Sequence, residues 1–96
     1  MPALMIALVK IKDAAKMQQY SGAAGPTIVA AGGVIVGRGK QVEALAGALD
    51  VSAALVARFP SAAAAHDWYH SPAYQALIPL RDEAMTPNFF VLDEPA

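Results

Sequence analysis

The chain has 96 residues, no Cys, and a formal charge of −1 from seven basic and eight acidic side chains. That length makes a single domain, residues 1–96, and leaves no room for two. The lack of Cys excludes a disulfide framework or a thiolate site, and the scattered basic residues exclude a nucleic-acid footprint or a polybasic membrane patch.

The opening stretch, MPALMIALVKIK, has no basic n-region and no small-residue cleavage site, so it does not read as a signal peptide. It is too short to cross a bilayer. A soluble, cytoplasmic protein with no membrane or nucleic-acid partner is expected. Ala3–Ile11 reads instead as a strand, with Met5, Ala7 and Val9 on one face and Leu4, Ile6 and Leu8 on the other. A strand with water on one side alternates apolar with polar residues. This one is apolar on both sides and should be buried on both.

Asp13 can cap a following helix, where Met17, Tyr20, Ala24, Ile28 and Ala31 fall on one stripe. Pro26 should kink or split that helix, and Gly32-Gly33 should end it. Residues 34–38 form a second strand, with Val34, Val36 and Arg38 on one face and Ile35 on the other. Gly37 and Gly39 flank Arg38, and glycine in a strand often marks a bulge or a close backbone approach. Residues 40–52 suit a short helix by propensity, but an extension of the strand through 42–45 is preferred, with turns at Gly47 and around Asp50.

Ala53–Phe59 is a third strand, with Leu55, Ala57 and Phe59 facing one way and Val56 and Arg58 the other. Ser61 caps the next helix, and Ser71-Pro72 restarts it with Ser as N-cap and Pro at the first helical position. Tyr74, Leu77, Ile78 and Arg81 continue one face, and Pro79 interrupts again. Residues 88–93, NFFVLD, form the last strand.

The order β-α-β-β-α-β is the ferredoxin-like, split βαβ arrangement, an α+β fold with both helices on one face of a four-stranded antiparallel sheet. The helices can cover only one of two apolar sheet faces. Each aliphatic side chain buried on the other is worth roughly 1.5–3 kcal/mol. An open patch of that kind is unusual on a monomer, so a homodimer through the bare sheet face is expected.

Tyr20, Pro26-Thr27-Ile28, Gly32-Gly33, Arg38-Gly39, Val42-Glu43, Phe59-Pro60-Ser61, Trp68-Tyr69-x-Ser71-Pro72-x-Tyr74-Gln75-x-Leu77 and Arg81 together make the chain resemble the bacterial family known as domain of unknown function 1330. The resemblance covers nearly the whole chain, although Ala63 stands where an acidic residue is common. It implies a dimeric α+β barrel, in which two ferredoxin-like protomers press their sheets together. Families of that architecture include cofactor-independent monooxygenases, muconolactone isomerases and haem-dependent chlorite-decomposing enzymes. The family itself has no assigned reaction.

Candidate site residues follow from residue chemistry. Arg38 on an apolar strand needs a partner, either Glu43 in an ion pair or an anionic or carbonyl ligand. Arg81 shares a helix face with Tyr74 and can reach the same cavity. Trp68, Tyr69 and Tyr74 either wedge helix against sheet or form a pocket wall with a hydroxyl for a ligand, and Tyr20 joins them. His66 and His70, four apart in HDWYH, resemble a truncated zinc motif. A third His or Cys ligand is missing, so a solvated helix face with no metal and no cofactor is expected. No nucleophile–base pair or phosphate loop stands out, and the glycines of GGVIVGRG bracket a strand rather than open a helix. Two functions remain open: a cofactor-independent isomerase or oxygenase-like enzyme on a small organic molecule, and a non-catalytic dimeric module that binds a ligand or a protein.

Overall fold

The computed structural model describes residues 1–95. Strands β1 (Ala3–Ile11), β2 (Val34–Lys40), β3 (Ala53–Phe59) and β4 (Met85–Asp93) form one antiparallel sheet in the order β2-β3-β1-β4. Helices α1 (Ala14–Ala30), α2 (Ala62–His70), α3 (Pro72–Gln75) and α4 (Ile78–Ala84) supply the connections. This is the expected ferredoxin-like α+β fold. The sheet of one chain is open, with β2 and β4 as its edges, and does not close into a barrel. The molecule is a slab of 32 × 31 × 16 Å, one sheet and one helical layer thick.

Local chemistry sets the helix ends. Asp13 accepts from the Lys16 N–H at 3.0 Å and starts α1. Ser61 accepts from the Ala64 N–H at 3.0 Å and starts α2. Ser71 works twice: it donates to the Trp68 carbonyl at 2.7 Å, ending α2, and accepts from the Tyr74 N–H at 3.2 Å, starting α3. Pro79 lies in the first turn of α4, where its missing N–H has no helical partner to lose.

Pro26 does not split α1, which runs unbroken from Ala14 to Ala30. The proline is exposed, and the residue four before it is Gly22, with open space where a side chain would stand. A helical proline crowds the carbonyl four residues back and takes away its N–H donor, and at Gly22 that carbonyl lies on an exposed turn where water can bond it. Gly32, at φ 86°, ends the helix in the left-handed region.

Gly33 then passes so close to α1 that an added Cβ would lie 2.7 Å from the Ile28 Cγ2 and 3.0 Å from the Phe59 ring. Gly33→Ala is expected to cost about 1–3 kcal/mol by overpacking, seen as a lower melting temperature.

Two strand boundaries move. β2 ends at Lys40, and residues 41–52 are a loop rather than a strand extension. Beyond the pairing of Lys40 with Ala53, β3 offers the second strand no further partner. Val42 is fully exposed there. β4 begins at Met85, three residues before expectation. Pro87 is tolerated because β4 is an edge strand with one neighbour, β1.

The core lies between sheet and helices. Met5, Ala7 and Val9 of β1 and Ala57 and Phe59 of β3 meet Tyr20, Ala24 and Ile28 of α1. The opposite face has no covering layer. Leu4, Ile6 and Leu8 are half-buried by their sheet neighbours, while Phe90 and Leu92 are about half exposed. The Arg58 guanidinium grips the Glu94 carboxylate through two bonds of 2.8 and 3.0 Å near one end of this face.

Candidate ligand cavity and its tyrosine network

A cavity of about 410 Å³ opens between the helix-facing side of the sheet and α1. Met5, Ala7 and Val9 make its floor and Met17, Ala24 and Ile28 part of its roof. Trp68 and Phe89 close one side. Its charged lining residues are Arg38 and Lys40, and no carboxylate or imidazole among the described residues lines it. An apolar wall with a few placed polar groups is the usual make-up of a small-molecule site, and this volume lies near the low end of the usual range.

Arg38 reaches the cavity through a break in strand alternation. Ile35 pairs with Ala57 and Gly37 with Val56, so two steps on β2 match one on β3. Val36 is the extra residue of a β-bulge, and the bulge turns every later side chain to the other face. Arg38 pairs with Leu55 and Lys40 with Ala53 on the helix side, where Ile35 also lies. The expectation that Arg38 shares a face with Val34 is corrected. Val34 pairs with Arg58, on the uncovered face.

The alternative ion pair does not form. Glu43 sits in the exposed loop, and Arg38 makes no salt bridge among the described residues. Arg38 is exposed and stands in the cavity lining with its guanidinium uncommitted.

The aromatic residues divide by role. Trp68 is 3% exposed, touches the rings of Phe59 and Tyr74, and donates its indole N–H to Thr27 Oγ1 at 3.0 Å. Thr27 in turn donates to the Ala24 carbonyl at 2.6 Å. Trp68 is thus wall and wedge together.

Tyr74 is fully buried. Its hydroxyl lies 2.7 Å from that of Tyr20 and accepts from Arg81 Nη1 at 3.4 Å. The same Nη1 donates to the Tyr69 hydroxyl at 2.8 Å, and Arg81 Nε donates to Asp82 at 3.1 Å. Tyr20, Tyr74, Arg81 and Tyr69 are therefore one connected network. The Arg81 guanidinium also sits 5.8 Å from the Tyr69 ring centre and 5.6 Å from that of Phe89, within range of cation–π attraction. Burial raises the pKa of both Tyr20 and Tyr74, so both phenols stay protonated at neutral pH.

Of the candidate residues, the cavity brings together Tyr20, Arg38 and Trp68. Tyr69 and Arg81 instead border a second hollow beside β4, together with His66, His70 and Asp93. The two imidazoles are exposed, with ring centres 4.3 Å apart. Among the described residues no group of three or more His, Asp or Glu is placed to hold a metal ion. Tyr74 bridges the two regions from beneath. Sequence reasoning missed Lys40 and the turned strand, although Gly37 and Gly39 carried the bulge signal. It also missed Thr27 as the indole's partner, which no sequence spacing announces. No helix is long and apolar enough to cross a membrane among the described residues.

Residues 2–95 match the model of the family described as Domain of unknown function (DUF1330). No curated protein matches the chain. Among solved structures, a protein of unknown function from Rhodopseudomonas palustris is similar, with a TM-score of 0.83 and 23% identity over 99% of this chain and 83% of that one. SnoaB, a cofactor-independent oxygenase from Streptomyces nogalater, is similar at a TM-score of 0.73 and 11% identity, over 99% and 94%. A dimeric protein of unknown function with a ferredoxin-like fold from Bacteroides fragilis is similar at 0.67 and 14%, over 97% and 96%. At these identities the likeness is one of fold.

Proposed function

The chain belongs to the DUF1330 family, and we propose that it is a homodimeric protein that binds a small apolar organic anion between its sheet and α1. The observation that carries this reading is the charge of the cavity. Two cationic side chains, Arg38 and Lys40, stand in a mostly apolar lining whose other polar members are Tyr20 and Ser21, with no acid among the described residues. A guanidinium without an internal carboxylate is suited to a bidentate carboxylate or enolate. The protein's walls supply the apolar contacts.

The dimer is supported by the uncovered apolar face of Ile6, Leu8, Phe90 and Leu92. The ferredoxin-like protein from Bacteroides fragilis is described as dimeric, which agrees. A second sheet laid on this face would complete the two-protomer barrel that the family resemblance implies.

Turnover in the same cavity is the second reading. SnoaB, which shares the fold, is a cofactor-independent oxygenase, and here a tyrosine lines the apolar chamber. Binding is favoured over turnover because, among the described residues, no carboxylate or imidazole lines the chamber to act as a base.

The test is titration of naphthalene-2-carboxylate into the wild-type protein and Arg38→Met by calorimetry. Wild type is expected to bind at micromolar to millimolar concentration, and Arg38→Met about tenfold or more weakly, as suits the loss of one charge-assisted contact of roughly 1.5–3 kcal/mol. No saturable binding to wild type, or equal affinity in the variant, overturns the reading. Native mass spectrometry of freshly purified protein should find a co-purified organic acid.

A further inference from the structure

The hydroxyl protons of the tyrosine network have few places to go. Tyr74 is fully buried, and its oxygen has two polar partners among the described residues: Arg81 Nη1 and the Tyr20 hydroxyl. Arginine only donates. A buried hydroxyl that leaves its own proton unpartnered loses a hydrogen bond, so the Tyr74 proton belongs on the Tyr20 oxygen. The order is then set from the charged end: Arg81 donates to Tyr74, and Tyr74 donates to Tyr20.

The Tyr20 proton is left over. Tyr20 is 7% exposed, has Tyr74 as its hydroxyl's one partner among the described residues, and lines the cavity. Of the two hollows, Tyr20 lines the first and not the second, so an acceptor for its proton can stand in that cavity. Water can fill that role in the empty chamber, and a ligand oxygen fills it in the occupied one.

We infer that Tyr20 is a specificity-determining donor, and that the cavity's ligand is an apolar acid carrying a second oxygen acceptor, a ketone, quinone or phenolate, that receives the Tyr20 O–H while its anionic group meets Arg38. This rests on the small-molecule reading above and narrows its ligand class. Accepting from Tyr74 also polarises the Tyr20 hydroxyl, which strengthens it as a donor. Sites built to donate to a ligand oxygen discriminate against analogues that lack it, because the buried donor is then unpartnered.

The experiment uses two probes of equal ring count and charge: 4-oxochromene-2-carboxylate, which carries a ketone, and naphthalene-2-carboxylate, which does not. Wild type is expected to bind the oxochromene about five- to tenfold more tightly, in keeping with one net hydrogen bond. Tyr20→Phe should erase that preference, bringing the affinities of the two probes within about twofold of each other. Arg38→Met should weaken both probes alike.

A wild-type preference that survives in Tyr20→Phe overturns the inference while the cavity reading stands. Equal wild-type binding of both probes does the same. Failure of both probes to bind wild type overturns the cavity reading and the inference with it. Because Tyr20→Phe also removes the acceptor of the Tyr74 proton, a second measurement uses the unaltered chain. With ¹³Cζ-labelled tyrosine, the Tyr20 resonance should move further with the oxochromene than with naphthalene-2-carboxylate; equal shifts with the two probes count against the donor role.

Discussion

Replacing Ile6 by Lys is expected to convert the protein from dimer to monomer at micromolar concentration. Ile6 sits at the centre of the uncovered face, paired with Val56 on one side and Phe90 on the other. In a sheet-to-sheet dimer two copies of the new ammonium would be taken from water into an apolar interface and set near each other. Like charges so placed, together with the cost of burying an unpaired charge, amount to several kcal/mol. A cost of about 4 kcal/mol raises the dissociation constant roughly a thousandfold. The single chain tolerates the change better, because Ile6 is only half-buried within it and a lysine stem can lie along the apolar surface with its head in water. Sedimentation velocity reads the result. A variant that sediments as the wild type does refutes the contact across this face.

Tyr74→Ala is expected to be the most destabilising single change on the helical side. The ring is wholly buried, with centres 4.5 Å from Trp68, 5.2 Å from Tyr69 and 6.4 Å from Tyr20. Truncating a buried aromatic to Ala typically costs about 3–5 kcal/mol, because it loses contact and leaves a void. A small domain has only about 5–15 kcal/mol in total, so the melting temperature should fall by roughly 15–30 °C.

Tyr74→Phe separates packing from hydrogen bonding. It keeps the ring and removes the oxygen that joins Arg81 to Tyr20, at about 1–3 kcal/mol. Thermal unfolding followed by circular dichroism measures both. If the Phe variant is as unstable as the Ala variant, the network rather than the ring dominates. If neither variant melts lower than wild type, Tyr74 holds nothing together.

The aromatic cluster around HDWYHSPAYQ thus has a divided role. Trp68 and Tyr74 are buried and bound to internal partners, which makes them structural first. The residue that faces the cavity with a proton to give is Tyr20, far away in sequence. Its partnership with Tyr74 spans 54 positions. Such a pair leaves no periodic trace, because the chain encodes each tyrosine only as an apolar member of its own helical stripe.

The local signals were sufficient wherever a residue's effect is local. Asp13, Ser61 and Ser71 mark helix starts because a short side-chain oxygen meets an N–H three residues on. Ala3–Ile11 and Ala53–Phe59 are short, mostly apolar runs bounded by Pro2 and Lys12 and by Ser52 and Pro60, and both strands stand where those runs placed them. The order of elements then gives the ferredoxin-like sheet. What the sequence by itself determined was therefore the fold, the helix starts at Asp13, Ser61 and Ser71, and the excess of apolar surface that a single helical layer leaves uncovered.

The tertiary structure alone decided where Arg38 points, whether it pairs with Glu43, and which tyrosine meets the chamber. A one-residue bulge at Val36 reverses every side chain after it, and whether a strand bulges depends on its register against β3. The length of β2 was decided in the same way: residues 42–45 have strand-compatible side chains, but a strand extends only as far as another supplies hydrogen bonds. Register and long-range partnership are properties of two segments together, and neither segment's own sequence carries them.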